Sequence, residues 1–253
     1  MSDEKRPPAV QVKGVAKSFG DNHVFDDLEL TINRGETLTI LGPSGSGKSV
    51  LLKLLIGLQK PDAGHILIDG VDVAPLAEPQ LREVRRKVGM LFQGAALFDS
   101  MSVGENVAYG LYENFDWPRE KIEERVAECL KWVGLPEIEN KWPSDLSGGM
   151  KKRVGLARAI APGPEIILYD EPTTGLDPGN AHRINLLIAS LKERLHVTSI
   201  VITHDVESAF NISDRVGLVR DRHIGLVTDV DTARRSPPPA LAAFVRGEGN
   251  GES

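Results

Sequence analysis

Cysteine, aromatic residues and excess positive charge are all scarce in this sequence of 253 residues. Cys129 is its one cysteine, which excludes an internal disulfide and a cysteine-built zinc site and suits a reducing compartment. Lys and Arg number 30 against 36 Asp and Glu, so the formal net charge is −6. This balance argues against a protein held on nucleic acid by bulk positive charge, and we expect no nucleic-acid partner.

Long apolar runs are missing as well. No stretch approaches the roughly 18–20 apolar residues of a membrane-spanning helix, and the opening MSDEKRPPAV has no apolar segment like that of a secretory signal. Apolar residues still make up 41% of the chain and charged residues 26%, the balance of a globular protein with a buried core. If the protein works at a membrane, another chain is expected to supply the spanning segments.

Several short apolar runs predict the fold class. Thr37–Leu41, Ile166–Asp170 and Ser199–Thr203 are nearly continuous apolar runs, as in strands covered on both faces. Between the last two, apolar residues recur at helical spacing over Pro178–His196. Strand, helix and strand in this order predict an α/β fold with parallel strands. Strand-like segments in the first 35 or so residues and in His65–Val73 predict a small antiparallel sheet.

The middle of the chain has a different composition. Of the 7 Phe, 3 Tyr and 3 Trp, eight lie between residues 92 and 142. Glu120–Val133 has the apolar spacing of a helix, with Gly134 as its predicted C-terminal cap. We therefore interpret this part of the chain as a helical insertion.

This change of composition predicts the domain organisation. One α/β domain is expected at about 8–235, with a core of about 8–93 and 161–235 and a helical insertion at about 94–160. Residues 236–253 begin with a run of prolines and end in a glycine-rich segment, so they are expected to form a short helix and a loose tail.

The segment Gly42–Ser49, GPSGSGKS, matches the G-x-x-x-x-G-K-[ST] pattern of a phosphate-binding loop (P-loop). A predicted strand precedes it and a predicted helix, Val50–Ile56, follows it, which is the context that the pattern requires. The glycines allow backbone N–H groups to turn towards phosphate oxygens at the positive end of a helix. Lys48 would place a charge on the β- and γ-phosphates, and Ser49 would offer an oxygen to Mg²⁺. The candidate nucleotide contacts are Gly42, Pro43, Ser44, Gly45, Ser46, Gly47, Lys48, Ser49 and Val50.

Polar residues follow two other predicted strands. Asp170 is the last residue of the apolar run Ile166–Asp170, and Glu171 follows it directly. His204 directly follows the run Ser199–Thr203. Parallel strands present ligands at their carboxyl edge, so we expect Asp170 beside Mg²⁺ and Glu171 polarising a water for attack on the γ-phosphate. His204 is expected to contact the γ-phosphate. If the P-loop were absent, we would interpret Asp170 and Glu171 as solvated side chains and His204 as a structural residue.

A further motif, Leu146-Ser147-Gly148-Gly149-Met150, has no use in a simple P-loop enzyme such as a kinase. It occurs in this chain together with Phe19, Gln93 after an apolar strand, Gly175-Leu-Asp177 and His204. In the order and approximate spacing of these motifs, the chain resembles the nucleotide-binding subunits of ABC transporters over about residues 10–230. The resemblance implies a RecA-like P-loop ATPase fold with a small antiparallel β subdomain and an inserted helical subdomain, using ATP and Mg²⁺. Met150 departs from the common signature, which has Gln there.

The resemblance also implies roles that the residues alone do not. Phe19 would stack on adenine, and Gln93 would contact Mg²⁺ and the attacking water. The signature residues Ser147–Gly149 would contact ATP held in the P-loop of a second subunit, and Asp177 would link the two sites. Two ATP molecules would then be sandwiched between two identical chains in the ATP-bound state.

A narrower resemblance concerns Gly89–Ala108, with Leu97-Phe98 after Gln93, and the Lys-Lys-Arg run after Met150. These look like the ATPases of Mla-type, MCE-associated transporters, which move lipids between bacterial membranes; Val50 in place of the commoner Thr also occurs there. The implied partners are an integral membrane permease, an MCE-domain substrate-binding protein and a small regulatory subunit. The implied location is the cytoplasmic face of the bacterial inner membrane. We expect the aromatic segment 94–142 to dock the permease through residues just after Gln93.

Two alternatives remain open at this point. Within the transporters, the chain could be the ATPase of an amino-acid or other solute importer. A soluble ABC-type ATPase of translation or DNA repair is a different class, and such proteins usually carry two nucleotide domains in one chain or a long coiled-coil insertion. This chain has neither feature, which disfavours that class.

Overall fold

The computed structural model describes residues 6–248. The chain divides into two compact units, one formed by the residues up to Arg85 together with those from Thr198 onward, the other by Arg86–Val197. The end of the predicted tail, residues 249–253, lies outside the described residues. None of the described helices combines the length and the apolar character needed to cross a membrane.

The elements of the described residues alternate between strands and helices for much of the chain. The strands are β1 (Val10–Phe19), β2 (Asn22–Ile32), β3 (Thr37–Leu41), β4 (Ala63–Ile68), β5 (Val71–Asp72), β6 (Val88–Leu91), β7 (Ile166–Asp170), β8 (Thr198–Thr203), β9 (Arg215–Arg220) and β10 (His223–Asp229). The helices are α1 (Lys48–Leu55), α2 (Glu78–Arg86), α3 (Val103–Asn114), α4 (Arg119–Trp132), α5 (Gly148–Ile160), α6 (Pro178–Leu195), α7 (Val206–Ile212), α8 (Val230–Arg235) and α9 (Pro239–Val245). A single 3₁₀ turn, Pro143–Asp145, precedes α5.

A four-stranded antiparallel sheet in the first unit confirms the predicted small sheet. Its strand order is β2-β1-β4-β5, and β1 pairs with both β2 and β4. Asp69 and Gly70 connect β4 to β5 with φ values of 55° and 79°, the paired left-handed geometry of a tight hairpin turn. Within β1, Val10, Val12 and Val15 are buried.

The same unit contains a second sheet in which β3 lies parallel to both β8 and β9, while β10 runs antiparallel to β9. Every residue of β3 and of β8 is buried, which explains why both sequences are rich in apolar and β-branched residues and contain no charged one. The predicted strand Thr37–Leu41 is therefore confirmed, and the predicted Ser199–Thr203 begins one residue earlier, at Thr198.

Helices α7, α8 and α9 pack on this second sheet. The buried cluster that joins them consists of Leu41, Ala209, Val216, Leu218, Ala233 and Leu241. Leu241 belongs to α9, so the short C-terminal helix expected from the sequence exists and is anchored on the core by a fully buried side chain.

The second unit contains the parallel strand pair β6 and β7 and the three mutually packed helices α3, α4 and α5. The predicted helix Glu120–Val133 is confirmed as α4, shifted by one residue at each end. Gly134 adopts φ 68°, its N–H donates to Lys131 O at 3.1 Å, and Leu135 N–H donates to Leu130 O at 2.9 Å. These two bonds form the Schellman arrangement that glycine favours at a helix end, so the predicted cap is confirmed.

Candidate functional site

The P-loop connects β3 to α1 in the first unit. Gly45 and Gly47 have φ values of 81° and 88°, a region that L side chains rarely adopt. A Cβ atom at Gly47 would also lie 2.4 Å from Val24 Cγ1, so packing against β2 demands glycine there independently of the backbone angle. The glycines of the motif are thus explained by the conformation of the loop.

Lys48 is only 6% exposed and reaches back into the loop that precedes it. Its Nζ donates to the carbonyl oxygens of Gly42 at 2.7 Å and Pro43 at 2.8 Å. The buried Ser46 Oγ has no hydrogen-bond partner among the described residues. Helix α1 begins at Lys48 after a glycine, which has no side chain to cap the first N–H groups. A buried ammonium, an unsatisfied hydroxyl and an uncapped helix start together fit a phosphate group.

His204 lies at the same sheet edge as the P-loop. In the parallel pairing of β3 with β8, Leu41 stands opposite Thr203, so Gly42 and His204 are the next residues on neighbouring strands. The His204 side chain is exposed. Phe19, the predicted adenine platform, belongs to the same unit; it is 44% exposed at the end of β1, with Lys17 Nζ 5.1 Å from its ring centroid.

The second unit brings together Asp170, Glu171 and Gln93. Leu91 of β6 pairs with Tyr169 of β7, so Gln93 and the two acids all follow the carboxyl edge of this strand pair. Asp170 and Glu171 are 8% and 9% exposed, whereas Gln93 is exposed. Glu171 adopts φ 47°, and one of its carboxylate oxygens, Oε2, accepts a hydrogen bond from Thr174 Oγ1 at 3.0 Å. A non-glycine residue in this backbone region is uncommon outside turns and functional sites.

The expected Mg²⁺ donors are the Ser49 hydroxyl, the Gln93 amide and the Asp170 carboxylate. A single carboxylate with neutral oxygens suits Mg²⁺, which proteins commonly bind together with the phosphate oxygens of a nucleotide. Residues 6–248 contain no cluster of three or more His, Cys, Asp and Glu side chains that could hold a metal ion. The donor set therefore fits Mg²⁺ that arrives with a phosphate ligand.

The signature turn lies at the start of α5. Ser147 is the N-cap of this helix, and its Oγ accepts a hydrogen bond from Met150 N–H at 3.3 Å. Ser147 and Gly148 are exposed, whereas Gly149 is buried. A Cβ atom at Gly149 would lie 3.0 Å from Cγ and Oδ1 of Asn180, so glycine allows close contact with the start of α6. Met150 contributes its backbone N–H to this turn, a bond that does not depend on the side chain at that position.

Asp177 caps α6. Its carboxylate accepts hydrogen bonds from Asn180 N–H at 3.0 Å and from Asn180 Nδ2 at 2.6 Å. These bonds lower the pKa of Asp177. Asn180, which the sequence did not single out, therefore contacts both Asp177 and Gly149.

The basic run after the signature is not a uniform basic surface. Lys152 is only 5% exposed, and its Nζ donates to the carbonyl oxygen of Glu171 at 3.0 Å. Burial lowers the pKa of Lys152, although the nearby carboxylates of Asp170 and Glu171 act in the opposite direction. Arg153 donates to Gly134 O at 3.1 Å, at the end of α4. Neither contact could be predicted from the sequence.

The segment that follows Gln93 is held in place by two side chains. Ala95 and Ala96 have φ values of 61° and 48°, and Arg158 of α5 donates to their carbonyl oxygens at 2.7 and 2.6 Å. The buried amide of Asn106 in α3 accepts from Phe98 N–H at 2.8 Å and donates to the carbonyl oxygens of Phe98, Met101 and Ser102. The loop is therefore ordered by the helices beneath it.

Comparison with known families agrees with this geometry. Residues 25–174 match the model of the family described as ABC transporter. The chain therefore belongs to the ABC transporter family. The matched segment covers the P-loop, Gln93, the signature turn and both acids at the end of β7.

Several curated ATP-binding proteins of this family are similar over nearly the whole chain. The probable ribonucleotide transport ATP-binding protein mkl of Mycobacterium leprae is 41% identical over 94% of this chain and 69% of its own length. The methionine import ATP-binding protein MetN 2 of Rhodococcus jostii is 41% identical over 94% and 71%. The intermembrane phospholipid transport system ATP-binding protein MlaF of Haemophilus influenzae is 40% identical over 96% and 92%.

Solved structures of the family share the fold. The dimeric post-hydrolysis structure of the ATP-binding cassette MJ0796, bound to ADP and Pi, matches with a TM-score of 0.81 and 34% identity over 87% of this chain and 98% of that one. The structure of cbiO1 from Clostridium perfringens matches with a TM-score of 0.84 and 29% identity over 95% and 96%. The predicted ABC-type P-loop fold is thus confirmed, and this ABC transporter subunit binds and hydrolyses ATP.

Proposed function

We propose that this protein is the ATPase of a bacterial lipid transporter of the Mla/MCE type. The observation that carries the lipid assignment is its match to MlaF over 92% of that protein's length, with 40% identity. Identity does not separate the candidates, because the relatives named for methionine and ribonucleotide transport are 41% identical. The ATPase of an amino-acid importer is therefore the second candidate, favoured by the methionine import relative.

Within this proposal, each unit carries part of the chemistry. Lys48 and the N–H groups of the P-loop hold the phosphates, and Ser49 and Asp170 are ligands of Mg²⁺, which neutralises charge on the phosphates when bound. Glu171 accepts a hydrogen bond from the attacking water and orients it, while Gln93 contacts the same water. His204 donates a hydrogen bond to the γ-phosphate. The buried ammonium of Lys48 and the unsatisfied Ser46 hydroxyl support the phosphate site.

The proposed active form is a dimer of two identical chains that sandwich two ATP molecules. Ser147, Gly148 and Gly149 of one chain contact the ATP held by the P-loop of the other, and Asp177 links the two sites. The exposure of Ser147 and Gly148 supports this role, because the turn is already closed on its own helix and presents these residues outward. The dimeric structure named for MJ0796 with ADP and Pi supports it as well.

A membrane permease is proposed to dock on the segment just after Gln93. Phe98 is 41% and Tyr109 40% exposed, with ring centroids 5.0 Å apart, and Tyr112 on the same helix is 55% exposed. Exposed aromatic side chains on an ordered loop are common anchors of protein interfaces. Through this permease, the ATPase would lie on the cytoplasmic face of the inner membrane, with an MCE-domain protein and a small regulatory subunit as further partners.

The catalytic part of the proposal is tested with Glu171→Gln. The amide keeps the size of the side chain but accepts a proton poorly, so hydrolysis should fall by about 10²–10⁴-fold, the usual contribution of a general base. ATP binding should remain, and the variant should accumulate as an ATP-bound dimer, seen as a doubled mass by light scattering with Mg²⁺-ATP. A variant that hydrolyses ATP at the wild-type rate would remove Glu171 from the catalytic site.

The docking surface is tested with the double variant Leu97→Asp/Phe98→Asp. Two carboxylates on an apolar anchor should release the ATPase from membranes that carry its permease, because burying an unpaired charge is costly. ATP binding and the unfolding temperature should stay close to wild type. The matched control is Glu113→Ala, on the exposed end of α3. Full co-purification of the double variant with the permease would place the docking site elsewhere.

The transported substrate is tested by isolating the intact complex from native membranes through a tag on this subunit. A lipid transporter should bring down a permease, an MCE-domain protein and bound phospholipid. An extracytoplasmic amino-acid-binding protein, with methionine stimulating the ATPase, would favour the second candidate. Co-purifying ribosomes or DNA without a permease would contradict a transport role.

A further inference from the structure

Lys152 is a buried lysine that none of the expected roles uses. It lies on α5 and is 5% exposed, and its Nζ reaches the carbonyl oxygen of Glu171, 19 residues later in the chain, at 3.0 Å. Burial of an ammonium group is costly unless the charge is hydrogen-bonded and paired. The carboxylates of Asp170 and Glu171 supply the opposite charge. The lysine thus contacts the turn that carries the proposed catalytic carboxylate.

The backbone conformation of the turn at Glu171 requires stabilising contacts. Glu171 adopts φ 47°, a conformation that a residue with a β-carbon disfavours. Its carbonyl oxygen accepts from Lys152 Nζ and, at 3.3 Å, from Thr174 N–H, while its carboxylate oxygen Oε2 accepts from Thr174 Oγ1 at 3.0 Å. The backbone and the side chain of Glu171 are therefore fixed from two directions, and Lys152 is the member of this set that comes from a different element.

We propose that Lys152 is a positioning residue for hydrolysis, whose ammonium holds the Glu171 turn so that the carboxylate is aimed at the attacking water. This rests on the proposed catalytic role of Glu171, and Lys152 itself touches no reacting atom. The carbonyl that it binds belongs to Glu171, so loss of the bond lets the peptide rotate towards a more relaxed conformation and moves the carboxylate with it.

The position of Lys152 on α5 gives this contact a further consequence. The same helix begins at the Ser147 cap and, further along, carries Arg158, which binds the carbonyl oxygens of Ala95 and Ala96 in the segment after Gln93. The contact between Lys152 and Glu171 therefore lies on the same helix as the Ser147 cap and the anchor of the segment after Gln93.

The experiment compares Lys152→Met, Lys152→Arg and the matched control Lys151→Met in the full-length protein. Met keeps most of the volume and removes the donor, so kcat should fall about tenfold or more, part of a general base's contribution, while KM and the affinity for ATP stay within about threefold. Arg keeps a donor and the charge and should restore most of kcat. Lys151 is half-buried at the neighbouring position of α5, and its variant should stay within about twofold of wild type.

Three results would overturn the proposal. The first is a wild-type kcat for Lys152→Met. The second is an equal loss for Met and Arg together with a lower unfolding temperature and weaker ATP binding, which is the pattern of a structural residue. The third is an equal loss for Lys151→Met, which would indicate a general effect of charge on α5.

A double variant separates this proposal from the catalytic role of Glu171. In single-turnover assays with radiolabelled ATP, Lys152→Met should cause no further loss in a Glu171→Gln background, because both changes disable one carboxylate. A further tenfold loss would show that Lys152 acts elsewhere and overturn the proposal. If Glu171→Gln alone is fully active, the catalytic role proposed above fails; if it is inactive while Lys152→Met is fully active, only the role of Lys152 fails.

Discussion

Two buried lysines follow two glycine-rich turns in this protein, and they bind different things. Lys48 begins α1 after the P-loop and donates to Gly42 and Pro43, within the turn itself. Lys152 lies near the start of α5 after the signature turn and donates to Glu171, on another segment of the second unit. Lys48 is 6% and Lys152 5% exposed, so burial does not distinguish them. Their partners do: Lys48 binds carbonyl oxygens of its own turn, whereas Lys152 binds the carbonyl oxygen of a turn on another segment.

The two turns also differ in how they cap their helices. In the P-loop the N-cap residue of α1 is Gly47, which has no side chain to cap the first N–H groups of that helix. In the signature turn the N-cap residue of α5 is Ser147, whose hydroxyl accepts a hydrogen bond from Met150 N–H, one of the first N–H groups of that helix. The start of α1 therefore fits the proposed phosphate site, whereas the start of α5 is capped by a residue of its own turn.

The largest expected effect comes from Lys48→Ala. Removal of the ammonium leaves the P-loop without its charge on the phosphates, and both ATP binding and hydrolysis should be lost, by about 10³-fold or more in rate. Equilibrium binding of a fluorescent ATP analogue and a steady-state ATPase assay measure the two effects. Lys53→Ala, an exposed lysine on the same helix, is the control. If Lys48→Ala lost hydrolysis but kept ATP binding, Lys48 would act like the proposed positioning residue Lys152, and the two lysines would not differ in role.

Gly149→Asp tests the second turn in the same way. The new side chain would meet Asn180, 3.0 Å from the position of its Cβ, and so would distort the buried side of the signature turn. Hydrolysis should fall by about 10²-fold, while the isolated monomer keeps its affinity for ATP. Gly225→Asp is the control, since a Cβ there meets nothing within 4 Å among the described residues. If Gly149→Asp weakened ATP binding by the monomer, the signature would belong to the ATP site of its own chain, together with Lys48.

A smaller effect separates two glycines of the P-loop. Gly45→Ala and Gly47→Ala both place a side chain at a left-handed φ, at a cost of about 1–2 kcal/mol each. Only at Gly47 does the new Cβ also clash with Val24, at 2.4 Å, which adds about 1–3 kcal/mol of overpacking. Urea unfolding should therefore rank Gly47→Ala as the less stable. Equal losses would show that Val24 moves aside without cost.

The smallest effect distinguishes the two roles of Ser147. Ser147→Ala removes the cap of α5 and should lower the free energy of unfolding by about 1 kcal/mol. Ser147→Asn keeps a capping oxygen, so its stability should match wild type, while the larger side chain at the exposed surface should still reduce hydrolysis. Urea unfolding and ATPase assays on both variants measure this. Full activity of the Asn variant would leave capping as the sole role of Ser147.

The structural features that depend only on residues close together in the sequence could be predicted. The fully buried strands β3 and β7, the α4 cap at Gly134 and the P-loop turn all follow from local pattern and from the backbone freedom of glycine. These features require no knowledge of the rest of the fold.

Contacts between distant segments could not be predicted in this way. Nothing near Lys152 marks it as a partner of Glu171, and nothing near Asn180 marks its contact with Gly149. A run of Lys-Lys-Arg by itself indicates solvated side chains. In the structure, however, Lys152 is buried and Arg153 binds the end of α4. The short C-terminal helix was expected from the sequence, but its anchoring on the core through Leu241 was not.

In the proposed dimer, the P-loop of one chain and the signature turn of the other bind the same ATP. This sharing is tested by mixing Lys48→Ala chains with Gly149→Asp chains, each inactive alone. A mixed dimer has one doubly damaged site and one intact site, so an equimolar mixture should recover up to about a quarter of wild-type ATPase activity, as two-fold symmetry requires. If mixed dimers form, shown by cross-linking differently tagged chains, and the mixture stays as inactive as its parents, the account is contradicted.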